Sequence, residues 1–210
     1  KQLHMDFDCI YSGFLGSAQQ IAIMENTLDI FADADTLVVI DPVLGDDNAL
    51  YDTMDDIMVQ RMVHLISRAH IITPNVTEVK LLLGLPLDTA ILAENLEPLT
   101  AQLSAMGPET VIVTGVHDHN DGRCVCCYQR RTQSFEQIAY RELPVSYPGT
   151  GDIFTAVLIG GLLQGRTLQE SVKLSADFIC HAVEDAIKAA EPVRDGVQLE
   201  KNLYRLCAVK

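Results

Sequence analysis

The chain has 210 residues, of which 48% are hydrophobic and 21% are charged, a balance typical of a globular protein that excludes a disordered one. Its formal net charge of −14 makes the surface as a whole repel nucleic acid and anionic membranes, so we expect neither as a partner. The sequence has no run of about 18 consecutive apolar residues that would predict a membrane span, and we expect a cytoplasmic protein whose six cysteines are reduced.

Apolar runs of strand length alternate with segments of helical periodicity in the first half of the chain. Strands are predicted at 8–12, 36–40, 70–73 and 110–114. Helices are predicted at 16–32, 54–67, 75–83 and 96–106, the third ended by Gly84. Two of the strands, TLVVI and TVIVT, are continuous apolar runs of the kind that is buried on both faces of a sheet. This order predicts an α/β fold with a mostly parallel sheet and helices on both faces.

The pattern changes after the fourth strand. Asn120-Asp121-Gly122 is typical of a hairpin turn, and we interpret it as joining Arg123–Gln129 to a second run around Ser134–Tyr140. These runs predict an antiparallel hairpin at one edge of the sheet. The remaining helices are predicted at 151–164, 168–190 and 197–206.

Two short clusters contain residue types that bind metals. The segment 124–127, CVCC, lies in a predicted strand, where alternating side chains point to opposite faces, so we interpret it as ordinary strand. His117-Asp118-His119 stands beside the hairpin turn, and we interpret it as a solvated loop.

Polar or glycine-rich loops follow each of the four predicted parallel strands. They lie at 12–17, 41–46, 73–78 and 114–115. Ligands of open α/β sheets bind beyond the carboxyl ends of the strands. The sequence therefore predicts a ligand site at this edge of the sheet.

A fifth loop, Pro148-Gly149-Thr150-Gly151-Asp152, opens a predicted apolar helix. Its glycines allow a sharp turn, and a helix N-terminus presents N–H donors and a partial positive charge. The loop therefore predicts an anion site suited to a phosphate. Asp152 could cap the helix or accept a proton from a substrate hydroxyl, and its position alone leaves both roles open.

Carboxylates in two of the loops indicate a metal ion. Asp41 and Asp46 could hold hydrated Mg²⁺, which prefers one or two carboxylates with phosphate oxygens and water, although turn formation explains them equally well. Thr73 is predicted as the N-cap of the next helix and Pro74 as its first residue. Glu78 lies one turn further and is expected to face the same edge as Asp41.

Taken in order, Asp41-Pro42-Val43-Leu44-Gly45-Asp46, Thr73-Pro74-Asn75-x-x-Glu78 and Gly149-Thr150-Gly151-Asp152 resemble the ribokinase-like kinases. Ser12-Gly13-Phe14-Leu15-Gly16-Ser17 and Asn48-Ala49-Leu50-Tyr51 resemble the pyridoxal kinase branch of that superfamily. The resemblance covers nearly the whole chain. It implies a single ribokinase-like kinase domain over residues 1–210.

The resemblance implies ATP-dependent phosphorylation of the hydroxymethyl group of pyridoxal, pyridoxine or pyridoxamine. Asp152 would be the base that activates this group, and the amides of Gly149, Thr150 and Gly151 would hold the transferred phosphoryl group. Mg²⁺ would be organised by Asp41, Asp46 and Glu78. ATP would be contacted by Thr73, Asn75, Thr114, Gly115 and by Tyr51 in a mobile loop. The small pyridine-type substrate would be contacted by Ser12, Phe14 and Asp152, with the ring of Phe14 against the pyridine.

Two alternatives share these motifs. One is a hydroxymethylpyrimidine kinase of thiamine synthesis, and the other is a non-catalytic relative that binds a nucleotide or vitamin and would need no base at position 152. In the family an N-terminal segment supplies the first strands and much of the substrate pocket, and we expect these strands to be absent from this chain. The resemblance also implies a homodimer.

Overall fold

The computed structural model describes residues 6–120, 122–145 and 147–207. Asp121 of the predicted turn lies outside the described residues. The chain divides into two compact units, Lys1–Gln137 and Ile138–Lys210. The single kinase domain over the whole chain therefore stays a prediction.

The first five strands in chain order are short, and the last three are longer. They are β1 (Cys9–Ser12), β2 (Leu37–Ile40), β3 (Gly45–Asp46), β4 (Ala49–Leu50), β5 (Ile71–Ile72), β6 (Thr110–His117), β7 (Arg123–Gln129) and β8 (Ser134–Tyr140). The helices are α1 (Ala18–Phe31), α2 (Asp56–Ile66), α3 (Val76–Leu83), α4 (Glu97–Ala105), α5 (Thr150–Leu163), α6 (Leu168–Lys188) and α7 (Tyr204–Cys207). Single 3₁₀ turns lie at Ala93–Asn95, Val193–Asp195 and Glu200–Asn202.

Six strands form one sheet in the order β1-β2-β5-β6-β7-β8. The pairs β1–β2, β2–β5 and β5–β6 are parallel, and β6–β7 is antiparallel. The mostly parallel sheet with an antiparallel edge is therefore confirmed. The predicted turn at residues 120–122 joins β6 to β7, however, so its assignment between β7 and β8 was wrong.

The helix starts follow the local sequence. Side chains of Ser17, Asp55, Asn75 and Thr167 each accept a backbone N–H in the first turn of α1, α2, α3 and α6. Gly84 ends α3 in the left-handed conformation, as predicted. The part of the chain that the structure describes contains no helix long and apolar enough to cross a membrane.

The buried side chains explain the strand sequences. Val38, Val39 and Ile40 of β2 are buried, as are Val111 and Ile112 of β6. The main core lies in the first unit, where these strands pack with apolar residues of α1 to α4. A smaller cluster in the second unit is built from Tyr147, Val183 and Ala186.

Two sequence predictions differ from the structure. The predicted helix at 197–206 is wrong, since this segment contains one 3₁₀ turn and the start of the four-residue α7. The two-residue strands β3 and β4, which form a separate antiparallel pair, were not predicted. The segment 124–127 does lie in β7, as interpreted, and all six cysteines are free thiols.

Candidate functional site

The polar loops of the first unit begin where adjacent strands end. The N–H of Asp41 donates to the Ser12 carbonyl over 2.8 Å, and the N–H of Thr73 donates to the Ile40 carbonyl over 3.3 Å. These bonds continue the strand pairing beyond β1, β2 and β5. Ser12, Asp41 and Thr73 are therefore neighbours at the carboxyl edge, where they are all buried.

Thr114 and Gly115 form a bulge in β6. The register with β7 shifts between Val113 and Val116, and Gly115 has a positive φ of 67°. The Thr114 N–H donates to the Pro74 carbonyl over 3.0 Å, which places Thr114 beside the loop that follows β5. Arg123 Nη1 donates to the Gly115 carbonyl over 2.8 Å and so holds the bulge from the neighbouring strand.

Helix α3 begins with a capping box. Asn75 Oδ1 accepts the N–H of Glu78 over 2.9 Å, and Glu78 Oε2 accepts the N–H of Asn75 over 2.8 Å. The N-cap is therefore Asn75, and the prediction that Thr73 caps the helix with Pro74 as its first residue was wrong. Asn75 has extended backbone angles and a side chain that reaches the first-turn amides.

The same two side chains hold the loop after β2. Glu78 Oε1 accepts the N–H of Leu44 over 3.1 Å, and Asn75 Nδ2 donates to the Gly45 carbonyl over 2.8 Å. Both oxygens of Glu78 are thus engaged by backbone amides. Asn75, predicted to contact ATP, and Glu78, predicted to organise Mg²⁺, both have a structural role in fixing this loop.

The three predicted metal-binding carboxylates influence one another electrostatically. Glu78 is only 3% exposed, and burial raises its pKa well above the usual range, with the charges of Asp41 and, less strongly, Asp46 acting in the same direction. Within residues 6–120, 122–145 and 147–207, no group of three or more His, Cys, Asp or Glu side chains is arranged to hold a metal ion. Asp41, Asp46 and Glu78 therefore share one region without forming a three-carboxylate cage.

Tyr51 follows β4 and is 41% exposed. Its pKa is raised by partial burial and then by the charges of Asp46, Glu78 and Asp41. Its N–H donates to the Leu44 carbonyl over 3.1 Å. The structure thus places Tyr51 within electrostatic reach of the three carboxylates, and its contact with ATP stays a prediction.

The loop after β1 presents an aromatic ring. Phe14 is 54% exposed. The Gly16 N–H donates to Gln20 Oε1 over 2.6 Å, and Ser17 caps α1 by accepting the Gln20 N–H. Gln20 therefore fixes the loop that exposes Phe14.

The second unit contains the glycine loop. Gly149 is the N-cap of α5, with a left-handed φ of 83°, so no side chain covers the first amides of the helix. Thr150 Oγ1 donates to the Tyr147 carbonyl over 3.1 Å, which directs this side chain back to the loop. Asp152 lies in the first turn and is exposed, and it is not the N-cap. The start of α5 has the form expected of an anion site.

Asp152 also borders a pocket that the sequence did not predict. The pocket has a volume of about 390 Å³ and lies within the second unit. Its lining is mainly apolar and includes Ile153, Val157, Phe178 and Leu203. Leu199, Leu203 and Leu206, which fall in the segment predicted as a helix, line this pocket as well.

A model of the phosphomethylpyrimidine kinase family matches residues 3–194 of the chain. The pyridoxine/pyridoxal/pyridoxamine kinase of Bordetella avium is 29% identical over 204 residues, which are 91% of this chain and 66% of that protein. The hydroxymethylpyrimidine/phosphomethylpyrimidine kinase of Bacillus subtilis is 25% identical over 181 residues, 86% of this chain and 65% of that protein. The chain thus spans about two thirds of the length of each curated relative.

Among solved structures, a Bacteroides thetaiotaomicron protein provisionally assigned as a phosphomethylpyrimidine kinase was determined with pyridoxal. It is 38% identical and superposes with a TM-score of 0.92, covering 98% of this chain and 73% of that one. The likeness confirms the predicted α/β fold of the ribokinase-like type.

Proposed function

The chain belongs to the phosphomethylpyrimidine kinase family, and from this membership we propose that it transfers the γ-phosphoryl group of ATP to the hydroxymethyl oxygen of pyridoxal, pyridoxine or pyridoxamine. The observation that carries the proposal is the start of α5, where the left-handed Gly149 is followed by an exposed Asp152 in the first turn. The Bordetella avium relative's name and the pyridoxal in the Bacteroides thetaiotaomicron structure support a vitamin B6 substrate.

Asp152 is the general base of the proposed reaction. Its carboxylate accepts the proton of the substrate hydroxyl while the hydroxyl oxygen forms a bond to the γ-phosphorus. The bond from that phosphorus to the bridging oxygen breaks, and the electron pair leaves with ADP. The amides of Gly149, Thr150 and Gly151 stabilise the negative charge of the transferred group.

We propose Mg²⁺ as the metal ion, held by Asp41 and Asp46 directly or through water, with Glu78 fixing the loop that joins them. The fit rests on charge. Burial raises the pKa of Glu78 most, and the negative charges of Asp41 and Asp46 raise it further. A cation bound at this site would relieve the repulsion among the three carboxylates. Two carboxylates with phosphate oxygens and water suit Mg²⁺ without a protein cage. When bound with ATP, the ion neutralises charge on the phosphates.

The proposed phosphate contacts are Thr73, Thr114 and Gly115, with Tyr51 nearby. The bond from the Thr114 N–H to the Pro74 carbonyl supports this assignment, because it places the two threonine loops side by side. Asn75 contributes by holding Gly45. This arrangement binds phosphate through local groups, as a chain of net charge −14 requires.

On the substrate side, Ser12 and Phe14 are proposed to contact the vitamin. The exposed ring of Phe14 offers a flat apolar face to a pyridine. Ser12, at the end of β1, provides a hydroxyl two residues before Phe14 in the chain. These two residues would offer the substrate both stacking and hydrogen-bonding groups.

A second candidate is hydroxymethylpyrimidine kinase activity. The family description and the name of the Bacillus subtilis relative favour it. Both acceptors are aromatic nitrogen heterocycles that carry a hydroxymethyl group, so the same base and phosphate loops would serve either one. The two candidates differ only in the ring that is recognised.

An ADP-release assay with pyridoxal, pyridoxine and hydroxymethylpyrimidine side by side tests the proposal. We expect kcat/KM for pyridoxal to exceed that for hydroxymethylpyrimidine by at least about tenfold, a discrimination that contacts to ring substituents can supply. The reverse order would replace the vitamin B6 proposal with the second candidate. If folded protein released no ADP with any of the three acceptors, the kinase proposal would be contradicted.

The variant Asp152→Asn tests the role of the proposed base in the same assay. Loss of a positioned general base lowers kcat by ~10²–10⁴-fold, while Mg·ATP affinity measured by calorimetry stays within about twofold because the phosphate contacts remain. Asp177→Asn, a change at a partly exposed residue of α6 in the same unit, should leave kcat unchanged. Turnover by Asp152→Asn above half that of the unaltered protein would remove Asp152 from the mechanism.

We further propose that the protein is a cytoplasmic homodimer. Its six free cysteines suit a reducing compartment. Two-fold dimers are the commonest assemblies of soluble chains, and the sequence resemblance implies one here.

A further inference from the structure

The hairpin β3–β4 is bound to α3 by two side chains that none of the motifs above includes. The N–H of Asn48 donates to Thr77 Oγ1 over 3.0 Å. Lys80 Nζ donates to Asn48 Oδ1 over 2.6 Å. Asn48, at the tip of the hairpin, is therefore held through both its backbone and its side chain.

Lys80 is buried to an unusual degree. Only 4% of its surface is exposed, and lysine is almost never buried this completely unless its charge is compensated. Its ammonium group also donates to the Leu87 carbonyl over 2.9 Å. Both acceptors are neutral oxygens, so the cost of burying the ammonium is offset by hydrogen bonds to one turn and one loop.

The hairpin tip has an uncommon backbone conformation that hydrogen bonds can help to hold. Asp47 and Asn48 have φ values of 49° and 60°, the left-handed pair of a type I′ turn. Asparagine and aspartate are the non-glycine residues that adopt this region most readily, because their short polar side chains can form local hydrogen bonds. The two strands also approach closely, because a Cβ on Gly45 would lie 2.1 Å from the Ala49 carbonyl oxygen.

We propose that Lys80 is a positioning residue that fixes the hairpin tip on α3 and so keeps Asp46 and Tyr51 in place. Asp46 ends β3 directly before the tip, and Tyr51 directly follows β4. The hairpin is then a fixed wall of the proposed phosphate and metal site, in contrast to the mobile loop that the resemblance implies for Tyr51. The part of this inference that concerns nucleotide binding rests on the proposed function, whereas the part that concerns the hairpin does not.

Hydrogen exchange tests the hairpin without any need for activity. In Lys80→Met, we expect the amides of residues 46–51 to exchange about tenfold faster or more, the effect of losing a hydrogen bond from a charged donor. Lys173→Met removes an exposed lysine of α6 and should leave these amides unchanged. Unchanged hairpin exchange in Lys80→Met would overturn the proposal.

A second variant, which should slow hairpin exchange rather than speed it, keeps the test decisive if Lys80→Met does not fold. Asn48→Asp turns the neutral acceptor into a carboxylate, which accepts a stronger bond from the ammonium, and aspartate tolerates the left-handed region. Because Asn48 is exposed, the change is made at the surface. We expect slower exchange of the same amides, and faster exchange would overturn the proposal.

Calorimetry with Mg·AMP-PNP tests the consequence for the site. We expect Lys80→Met to raise the Kd about three- to tenfold, and Lys80→Arg, which keeps a charged donor, to recover part of the affinity. Faster hairpin exchange with unchanged affinity would show that Lys80 does not position the nucleotide site. Absence of Mg·AMP-PNP binding by the unaltered protein would instead overturn the proposed function, and with it the site role of Lys80.

Discussion

Glu78 is a carboxylate whose two oxygens each accept a backbone N–H, one from Asn75 in its own helix and one from Leu44 in the loop after β2. The acid therefore joins the start of α3 to the loop that carries Asp41 and Asp46. Its role in any metal site is indirect in this arrangement. A change at Glu78 alters the loop first and the metal through it.

We expect Glu78→Gln to lower the free energy of unfolding by about 1–3 kcal/mol, because the amide nitrogen would face a buried backbone N–H donor and leave it unsatisfied. Urea denaturation measures this. Glu170→Gln is the matched control, since Glu170 forms the same capping box with Thr167 but at the surface, where glutamine also serves. Equal losses in the two variants would show that burial of Glu78 is not what matters.

The residues of the candidate site could be found from sequence, but not all of their roles. Asp41 and Thr73 follow apolar runs that clearly predict strands, so their place at the sheet edge was predictable. Asn75 was misjudged because Thr73 and Pro74 also fit a helix start. Thr77 and Lys80 belong to no recognisable motif, and their contacts with Asn48 depend on a hairpin of two-residue strands that periodicity cannot detect.

At the scale of elements, the bulge in β6 places Thr114 and Gly115 where a regular strand would not. Two residues of β6 oppose one residue of β7 there, and the guanidinium of Arg123 holds the Gly115 carbonyl from β7. Since the peptide unit is planar, fixing this carbonyl also fixes the direction of the following N–H. Arg123 thereby holds in place the bulge that contains Thr114 and Gly115, two of the proposed phosphate contacts.

Arg123→Met should therefore weaken Mg·AMP-PNP binding about three- to tenfold, the effect of losing one charge-assisted hydrogen bond at the site. Calorimetry provides the measurement. Arg130→Met is the control, because Arg130 also donates to backbone carbonyls, those of Ser104 and Gly107, near the other end of β7. The control should lose stability but keep its affinity, and a similar loss of affinity in both variants would contradict a specific role for Arg123.

The elements themselves were largely predictable, for identifiable reasons. TLVVI and TVIVT are strands because continuous apolar runs suit the interior of a parallel sheet, and Val39 and Val113 are fully buried. The segment 197–206, predicted as a helix, contains one 3₁₀ turn and the start of the four-residue α7, with three of its leucines lining the pocket beside Asp152. A segment this short also forms a helix only marginally without strong packing along its length.

At the scale of the whole molecule, a net charge of −14 affects assembly. Two copies of the chain repel each other at long range, and salt screens that repulsion over about 10 Å at 0.1 M. A homodimer must therefore be held by apolar or short-range polar contacts. Added salt should therefore stabilise this dimer, whereas it would weaken a dimer held by ion pairs.

Sedimentation at micromolar concentration tests this. We expect a species of twice the chain mass of 23.1 kDa, and a dissociation constant that falls as NaCl is raised from about 0.05 to 0.3 M. A single species of one chain mass at every salt concentration would contradict the dimer. Dissociation on adding salt would show instead that ion pairs hold it.

Two glycines described above are required for different stereochemical reasons. At Gly45 there is no room for a Cβ, because the Ala49 carbonyl oxygen occupies the space. At Gly149 there is room, with nothing within 4 Å of an added Cβ, but φ is 83°, which disfavours an L-residue. Position 149 therefore excludes L-residues because of their backbone preference and not because of their size. A D-alanine introduced there by chemical ligation should preserve the start of α5, whereas its L-enantiomer should distort it.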